Sequence, residues 1–345
     1  MITEMKVSDF TYDLPEELIA IHPPKIRGTS SLLVLDKSSG RITHNKYSNL
    51  ANYLSSGDVL VLNDTKVIKA RLLAKNSKDQ GRELLLLEDH HNTDFTKRKA
   101  IYRGRIHAGE ILTVKSVPIA VEKVLDGGIA KISSSHNILE LAEHEGTVPL
   151  PPYMHRNATK EDIERYQTVF AKTPGSVAAP TASLNFTEEL EQKLKEKGVI
   201  ITYLTLHVGL GTFLPIRSND IEDHEMHSEY FEIPKNTIEI IKNAKLNSNK
   251  IVAVGTTVTR TLEYVAAQLV KDQNIDISGE ANIFIYPGYK FKSVDVMLTN
   301  FHAPKSTVLM MAAAFAGWNN LAHAYQEAIK EKYAFLSYGD SMLIR

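Results

Sequence analysis

The sequence predicts an α/β main domain, a mixed sheet with flanking helices, that carries an inserted all-β barrel. Three observations predict it. Apolar runs of strand length, such as GDVLVLND (57–64), end in turn residues. Beyond residue 149, strands and amphipathic helices alternate, as an α/β sheet requires. Between 67 and 148, short strand-like segments follow one another between Gly, Asp, Ser and Lys turns, the pattern of a small barrel or sandwich. The expected division is 1–66 with 149–345 as a discontinuous α/β unit, and 67–148 as the insertion.

The elements follow in order. LPEELIAI (14–21) reads as a short helix with Pro15 at its start. SLLVLD (31–36) and GDVLVLND read as buried strands. The insertion offers VIKARLLAK, RELLLLED, KAIYRGR, GEILTVK and PIAVEKVLDGGIAKIS, the last with an Asp-Gly-Gly hairpin turn. EDIERYQTVFA reads as a helix. TEELEQKLKEKG (187–198) is an amphipathic helix with Thr187 as N-cap and Gly198 as terminator. VIITYLTLHVGLGTF is a strand running into a Gly-x-Gly turn, and TIEIIKNAKLN is a helix. KIVAVGTTVTRTLEYVAAQL (250–269) reads as strand, tight turn, helix. ANIFIYP is a strand, TVLMMAAAFAG and NLAHAYQEAIKEKY are helices, and SYGDSMLI closes the chain.

Of the 345 residues, 43% are hydrophobic and 23% charged, enough apolar side chain for a real core. Forty basic residues nearly cancel forty-one acidic ones, so any attraction for a polyanion must come from a local patch. The absence of cysteine excludes disulfides, thiolate metal sites and cysteine nucleophiles. The start, MITEMKVSDF, lacks the pattern of a signal peptide. The longest apolar run falls short of the roughly 18–20 residues of a membrane helix. A cytoplasmic protein with no membrane partner is expected.

Several segments place polar groups at strand ends. After the strand IVAV come Gly255, Thr256 and Thr257, then a helix carrying Arg260. The helix-start N–H groups and Arg260 suit a carboxylate or phosphate; a plain threonine cap is the bland alternative. LHVGLGTF has Gly209 and Gly211 but lacks the third glycine of a dinucleotide fingerprint. His207 there is either a core histidine or a site residue. EDHEMHSEYFE (222–232) sets His224 and His227 three apart among acids, and a metal site, an acid–base site and a solvated turn all remain open. TNFHAPKST offers Asn300 and His302, and SYGDSM offers Tyr338 and Asp340. Lys97, Arg98, Lys99, Arg103 and Arg105, with Phe95 and Tyr102 interleaved, are either a solvated edge or an RNA-facing surface.

Taken together these segments resemble the S-adenosylmethionine:tRNA ribosyltransferase-isomerases of queuosine biosynthesis. The resemblance runs nearly end to end, through VSDFTYDLPEELIA, LNDTKVIKARL, PLPPY, GSVAAPTASLNFT, LHVGLGTFLPI, EDHEMHSEYFEIP, AVGTTVTRTLE, IFIYPGY, LTNFHAPKSTVLMM and SYGDSMLI, in the family's order. It implies an α/β domain with an inserted β-barrel. It also implies that S-adenosylmethionine is consumed as a ribosyl donor. The ribosyl moiety passes to 7-aminomethyl-7-deazaguanine in the tRNA anticodon loop and isomerises, giving epoxyqueuosine with release of adenine and methionine. No cofactor or metal is implied, the partners are tRNA and S-adenosylmethionine, and a monomer is expected.

Such chemistry needs proton donors and acceptors. The resemblance implies acid–base and ribose-contact roles for Asp223, His224, His227 and Glu229, with His207, His302 and Asp340 as further catalytic candidates. For S-adenosylmethionine, ribose and base it implies Arg27, Asn63, Asp64, Thr181, Asn185, Gly209, Gly211, Thr256, Thr257, Arg260, Asn300 and Tyr338. Gly255–Thr257 with Arg260 is expected to hold the methionine carboxylate. For tRNA it implies Lys66 and Arg71 beside the LNDT turn, with Lys97, Arg98, Lys99, Arg103 and Arg105 on the barrel. The chain departs from the family's Pro-Thr-Ala-Gly-Leu-His-Phe at Ser183 and Asn185, and from its Arg-Asp-x-Ser-Arg at Gly28 and Ser31. Asn185 cannot exchange a proton at neutral pH. A relative with another acceptor or weaker catalysis, and a tRNA-binding module without turnover, therefore stand as alternatives.

Overall fold

The structure is a computed structural model and describes residues 5–88, 93–209, 216, 218–271 and 275–345. Its first strands are β1 (Ser31–Leu35), β2 (Ile42–Lys46), β3 (Val59–Asn63) and β4 (Thr65–Val67). Six more follow: β5 (Arg71–Lys75), β6 (Gly81–Leu86), β7 (Lys97–Arg103), β8 (Ile111–Val114), β9 (Val117–Leu125) and β10 (Ile129–Ser133). Helices α1 (Ile138–Glu145) and α2 (Lys160–Arg165), strand β11 (Thr173–Ser176) and helix α3 (Glu188–Glu196) come next. The chain continues with β12 (Ile200–Leu206), β13 (Glu229–Ile233), α4 (Lys235–Leu246), β14 (Ile251–Val254), α5 (Thr256–Tyr264) and α6 (Ala266–Leu269). It ends with β15 (Ile277–Ala281), β16 (Val296–Asn300), α7 (Thr307–Ala316), α8 (Trp318–Lys330) and β17 (Ser341–Ile344).

The main sheet has the order β15-β13-β12-β3-β14-β16-β17-β1-β2. Its centre, β12, β3, β14 and β16, is parallel, while β13, β15, β17 and β2 add antiparallel pairings. Strand β3 is buried on both faces because the strand repeat of two sends neighbouring side chains to opposite layers. Val59 and Val61 join Ile238, Ile241, Val258, Leu262 and Met310, from α4, α5 and α7. Leu60 and Leu62 join Tyr47, Leu50, Leu190 and Leu194, on the face covered by α3. Thr187 caps α3 by accepting the Leu190 N–H at 3.2 Å, as its sequence predicts.

Strands β5 to β10 close into a barrel of order β10-β7-β6-β5-β8-β9. Its interior is filled by alternate residues, among them Leu72, Leu84, Ala100, Leu112, Val121 and Ile132. The predicted Asp-Gly-Gly turn joins β9 to β10, with Gly127 at φ 74° and Gly128 at φ 75°.

Three predicted elements differ. LPEELIAI forms only the 3-10 turn Glu16–Leu18, because Ile19 is extended and bridges to Phe335. The helix predicted over EDIERYQTVFA stops at Arg165. Tyr166 turns out to pack against Tyr338, and the Gln167 amide bonds both the N–H and the C=O of Val67. ANIFIYP is not a strand: β15 ends at Ala281, where that segment begins, and Ile285 is instead buried in the core.

Candidate active site

The parallel strands β3, β14 and β16 end on one edge of the sheet, at Asn63, Gly255 and Asn300. Ligands in open α/β sheets bind beyond such carboxyl ends. A cavity of about 580 Å³ lies there, within the size range of small-molecule sites. Its walls come from four stretches: Ala178–Ala182, Gly255–Thr257, Thr299–Ser306, and Leu336 with Ser337, closed by Pro152, Tyr153 and Tyr166.

Helix α5 begins at this wall. Gly255, at φ 95°, occupies a left-handed backbone conformation that favours glycine, and no side chain among the described residues caps the helix. Its first-turn N–H groups and the positive end of its dipole therefore stand at the cavity wall. Asn300 is 2% exposed. Its Oδ1 accepts from Thr181 Oγ1 at 2.8 Å, while its Nδ2 has no partner among the described residues. A buried donor left unmade is costly, and this one belongs to a side chain of the cavity wall. His302 accepts or donates at Nε2 to Thr299 Oγ1 at 2.7 Å, and its backbone carbonyl accepts from Tyr12. Burial pushes its pKa down to about 3, so at neutral pH it offers a hydrogen bond and not a charge. The Tyr153 hydroxyl donates to Ser337 Oγ and accepts the Ser337 N–H; burial pushes its pKa up to about 12 and keeps it protonated.

Of the residues singled out from the sequence, Thr181, Thr256, Thr257, Asn300 and His302 line this cavity. Asn63 stands one bond behind it. Its amide ties Leu206 and Thr65 and reaches Thr257 Oγ1 at 3.4 Å. Helix α5 also carries Arg260 into a second buried group, whose residues do not line the cavity. Glu229, 1% exposed, pairs with Arg260 Nη1 at 2.5 Å, accepts the Gly209 N–H at 3.1 Å, and lies 3.5 Å from His227 Nε2. Arg260 thus directs its guanidinium to Glu229. His224 and His227 sit in a loop, not on one helix face; His224 packs edge-on against Phe284, with its pKa lowered by burial and by His227. Asp223 is exposed.

Other predicted residues hold the scaffold. His207 is buried, bonded to Thr65 Oγ1 at 2.7 Å and stacked on Tyr230. A Cβ at Gly175 would lie 2.7 Å from its ring, so that glycine makes room for it. Asp64 accepts from Thr205 at 2.6 Å, and burial raises its pKa. Asp340 accepts the N–H groups of Ser31 and Ala334, and burial raises its pKa too. Arg27 donates to the carbonyls of Gln167 and Leu184, and Tyr338 donates to Asp162. Asn185 accepts from Ser30 and donates to the Gly339 carbonyl, so its amide is spent inside the fold and does not line the cavity. Gly211 lies outside the described residues.

On the barrel, the alternation of β7 turns Lys97, Lys99 and Arg103 outward. Arg98 is a correction to the sequence reading. It is 5% exposed on the inward-facing set with Ala100, and its guanidinium bonds the carbonyls of Asp94 and Lys97. Arg105 and Lys66 are exposed, and Arg71 pairs with Glu83 at 2.8 Å. Sequence reasoning missed Ala178–Pro180, Ala182, Tyr153, Tyr166 and Ser337 as cavity residues. The run of small residues in SVAAPTAS was the available signal. Among the described residues no group of three or more His, Asp or Glu side chains is placed to hold a metal ion. None of the described helices is long and apolar enough to cross a membrane.

A sequence model of the family described as "Queuosine biosynthesis protein" matches residues 7–344. The chain is 53% identical, over 99% of its length and 100% of the relative's, to an S-adenosylmethionine:tRNA ribosyltransferase-isomerase of Chlorobaculum parvum. It is 51% identical, with the same coverage, to one of Chlorobium chlorochromatii. Among solved structures it is similar to the S-adenosylmethionine tRNA ribosyltransferase of Thermotoga maritima. That match has 34% identity and a TM-score of 0.57, and covers 98% of this chain and 100% of that one. With a family match across nearly its whole length, this chain belongs to the queuosine biosynthesis protein family.

Proposed function

We propose that this chain is an S-adenosylmethionine-dependent tRNA ribosyltransferase-isomerase. It moves the ribosyl moiety of S-adenosylmethionine onto 7-aminomethyl-7-deazaguanine in the tRNA anticodon loop and isomerises it to epoxyqueuosine. Adenine leaves C1′, and methionine leaves C5′ as a neutral thioether when the carbon–sulfonium bond breaks. The observation that carries the reading is the cavity at the ends of β3, β14 and β16, with an uncapped helix start and the unmade Asn300 donor in its wall.

The methionine carboxylate is assigned to the N–H groups of Thr256 and Thr257, where the α5 dipole favours negative charge. Arg260 acts from behind, through the Glu229 carboxylate it holds. The sulfonium acidifies the C5′ hydrogens, but a positioned acceptor is still needed. His227 is the preferred acceptor among the acid–base candidates, because Glu229 lies 3.5 Å from its Nε2 and can orient it. His302, held neutral, supplies hydrogen bonding only.

The test is adenine release from S-adenosylmethionine. Release only in the presence of tRNA bearing 7-aminomethyl-7-deazaguanine is expected. Tight tRNA binding with no adenine released under any condition would overturn the reaction.

A further inference from the structure

The main cavity has a neighbour. A second cavity of about 400 Å³ lies between the barrel wall and residues 149–157, and Pro152 lines both. Three arginines, Arg71, Arg103 and Arg156, line it. Arg71 is held by Glu83, and Arg156 is held by Asp162 through bonds of 2.6 and 2.8 Å. The exposed guanidinium of Arg103 makes no ion pair or hydrogen bond among the described residues. Arg103 lies directly opposite Glu83 across β6 and β7, but that carboxylate is held by Arg71, so among the described residues Arg103 is a cation of this cavity with no ion pair.

The barrel wall beyond it is ordered by strand register. Ile129, Ile101, Leu85 and Arg71 lie opposite one another across β10, β7, β6 and β5, and the last three line the second cavity. Two residues along, about 7 Å away on the same face, Lys99 lies opposite Lys131, and Lys131 lies opposite Lys123. All three lysines are exposed, and none makes an ion pair among the described residues. Like charges directly opposite across strands destabilise a sheet. A row of three costs the barrel stability and returns nothing within the fold. In a chain of net charge −1, it is also a local attraction that the whole molecule lacks.

We propose that the second cavity takes the nucleotide flanking the acceptor base, with Arg103 meeting its phosphate, and that the RNA strand then runs over the row Lys99, Lys131 and Lys123. The half-buried Ile101 and Leu85 give a base an apolar shelf between the two cationic positions. Pro152 separates the flanking nucleotide from the acceptor in the main cavity. The assignment rests on the proposed reaction for the identity of the RNA.

The experiment compares wild type, Arg103→Ala and Lys131→Glu as full chains. It measures tRNA binding over a range of salt, adenine release at varied tRNA, and thermal unfolding. Each variant is expected to raise the KM for tRNA about tenfold, leave kcat at saturating tRNA unchanged, and lower the salt slope of binding by about one. Lys131→Glu is also expected to hold or raise the melting temperature, since it relieves the like-charge row. Unchanged KM and unchanged salt slope in both variants, with an active wild type, overturn the surface and leave the reaction standing. If wild type releases no adenine with any tRNA, the reaction falls; the surface then stands if the variants lose salt-dependent tRNA binding and falls if they retain it.

Discussion

Replacing Asn300 with leucine removes one made and one unmade hydrogen bond at the wall of the main cavity. The made bond, from Thr181 Oγ1 at 2.8 Å, contributes about 1 kcal/mol. The unmade one, at the buried Nδ2, costs the unliganded protein about 1–3 kcal/mol. The two changes oppose each other, so stability without ligand should stay level or rise by up to about 2 kcal/mol. Affinity for S-adenosylmethionine is expected to behave differently, because in the proposed site the ligand supplies the partner that Nδ2 lacks among the described residues. A neutral acceptor contributes about 0.5–1.5 kcal/mol and a carboxylate about 1.5–3 kcal/mol. The expected loss is therefore about 2- to 10-fold for a neutral contact and about 10- to 150-fold for the carboxylate. Titration calorimetry with S-adenosylmethionine, paired with urea unfolding of the unliganded variant, reads both quantities. Affinity within twofold of wild type would refute the assignment of Nδ2 to the ligand.

Other perturbations test the surrounding shell. Gly175→Ala places a Cβ 2.7 Å from the His207 ring and should cost about 1–3 kcal/mol in urea unfolding; no loss would show that His207 has room to move. Arg260→Met leaves Glu229 buried without its cation and should cost about 3–5 kcal/mol, with a loss under 1 kcal/mol counting against the pair. His227→Gln should lower kcat while leaving S-adenosylmethionine binding intact, and unchanged turnover removes its role as acceptor. His302 has a folded pKa of about 3, below the unfolded value of about 6.5, so it contributes stability that is complete above the unfolded value and lost as pH falls towards the folded one. His302→Gln should therefore flatten the decline of melting temperature on acidification below about pH 6.5; an identical acid limb would contradict the buried neutral ring.

The sheet and barrel were legible because local signals agreed with the fold. The runs VLVLN and IVAV became buried parallel strands, Thr187 capped its helix, and Asp126-Gly127-Gly128 turned its hairpin. The site was half legible. Thr256, Thr257, Asn300 and His302 stood out because polar residues at the carboxyl ends of apolar runs fall on one sheet edge. The Glu229–Arg260 pair was hidden, since it joins residues 31 positions apart through strand order that no local pattern encodes. Arg27, Asp340 and Asn185 were singled out as site residues, and in the structure each bonds backbone groups; polar residues that do so have the same spelling as polar residues that bond substrates. Asn185, which stands where the family pattern has histidine, is not among the residues that line the cavity. Arg98 was readable and misread: in KRKAI the apolar Ala100 shares its face, which alternation assigns to the barrel interior.

The most direct measurement is a structure of the chain with S-adenosylmethionine bound. The methionine carboxylate is expected at the Thr256 and Thr257 N–H groups, with a ligand acceptor about 3 Å from Asn300 Nδ2. S-adenosylmethionine found in the second cavity, or in the main cavity with its carboxylate turned away from α5, would contradict it.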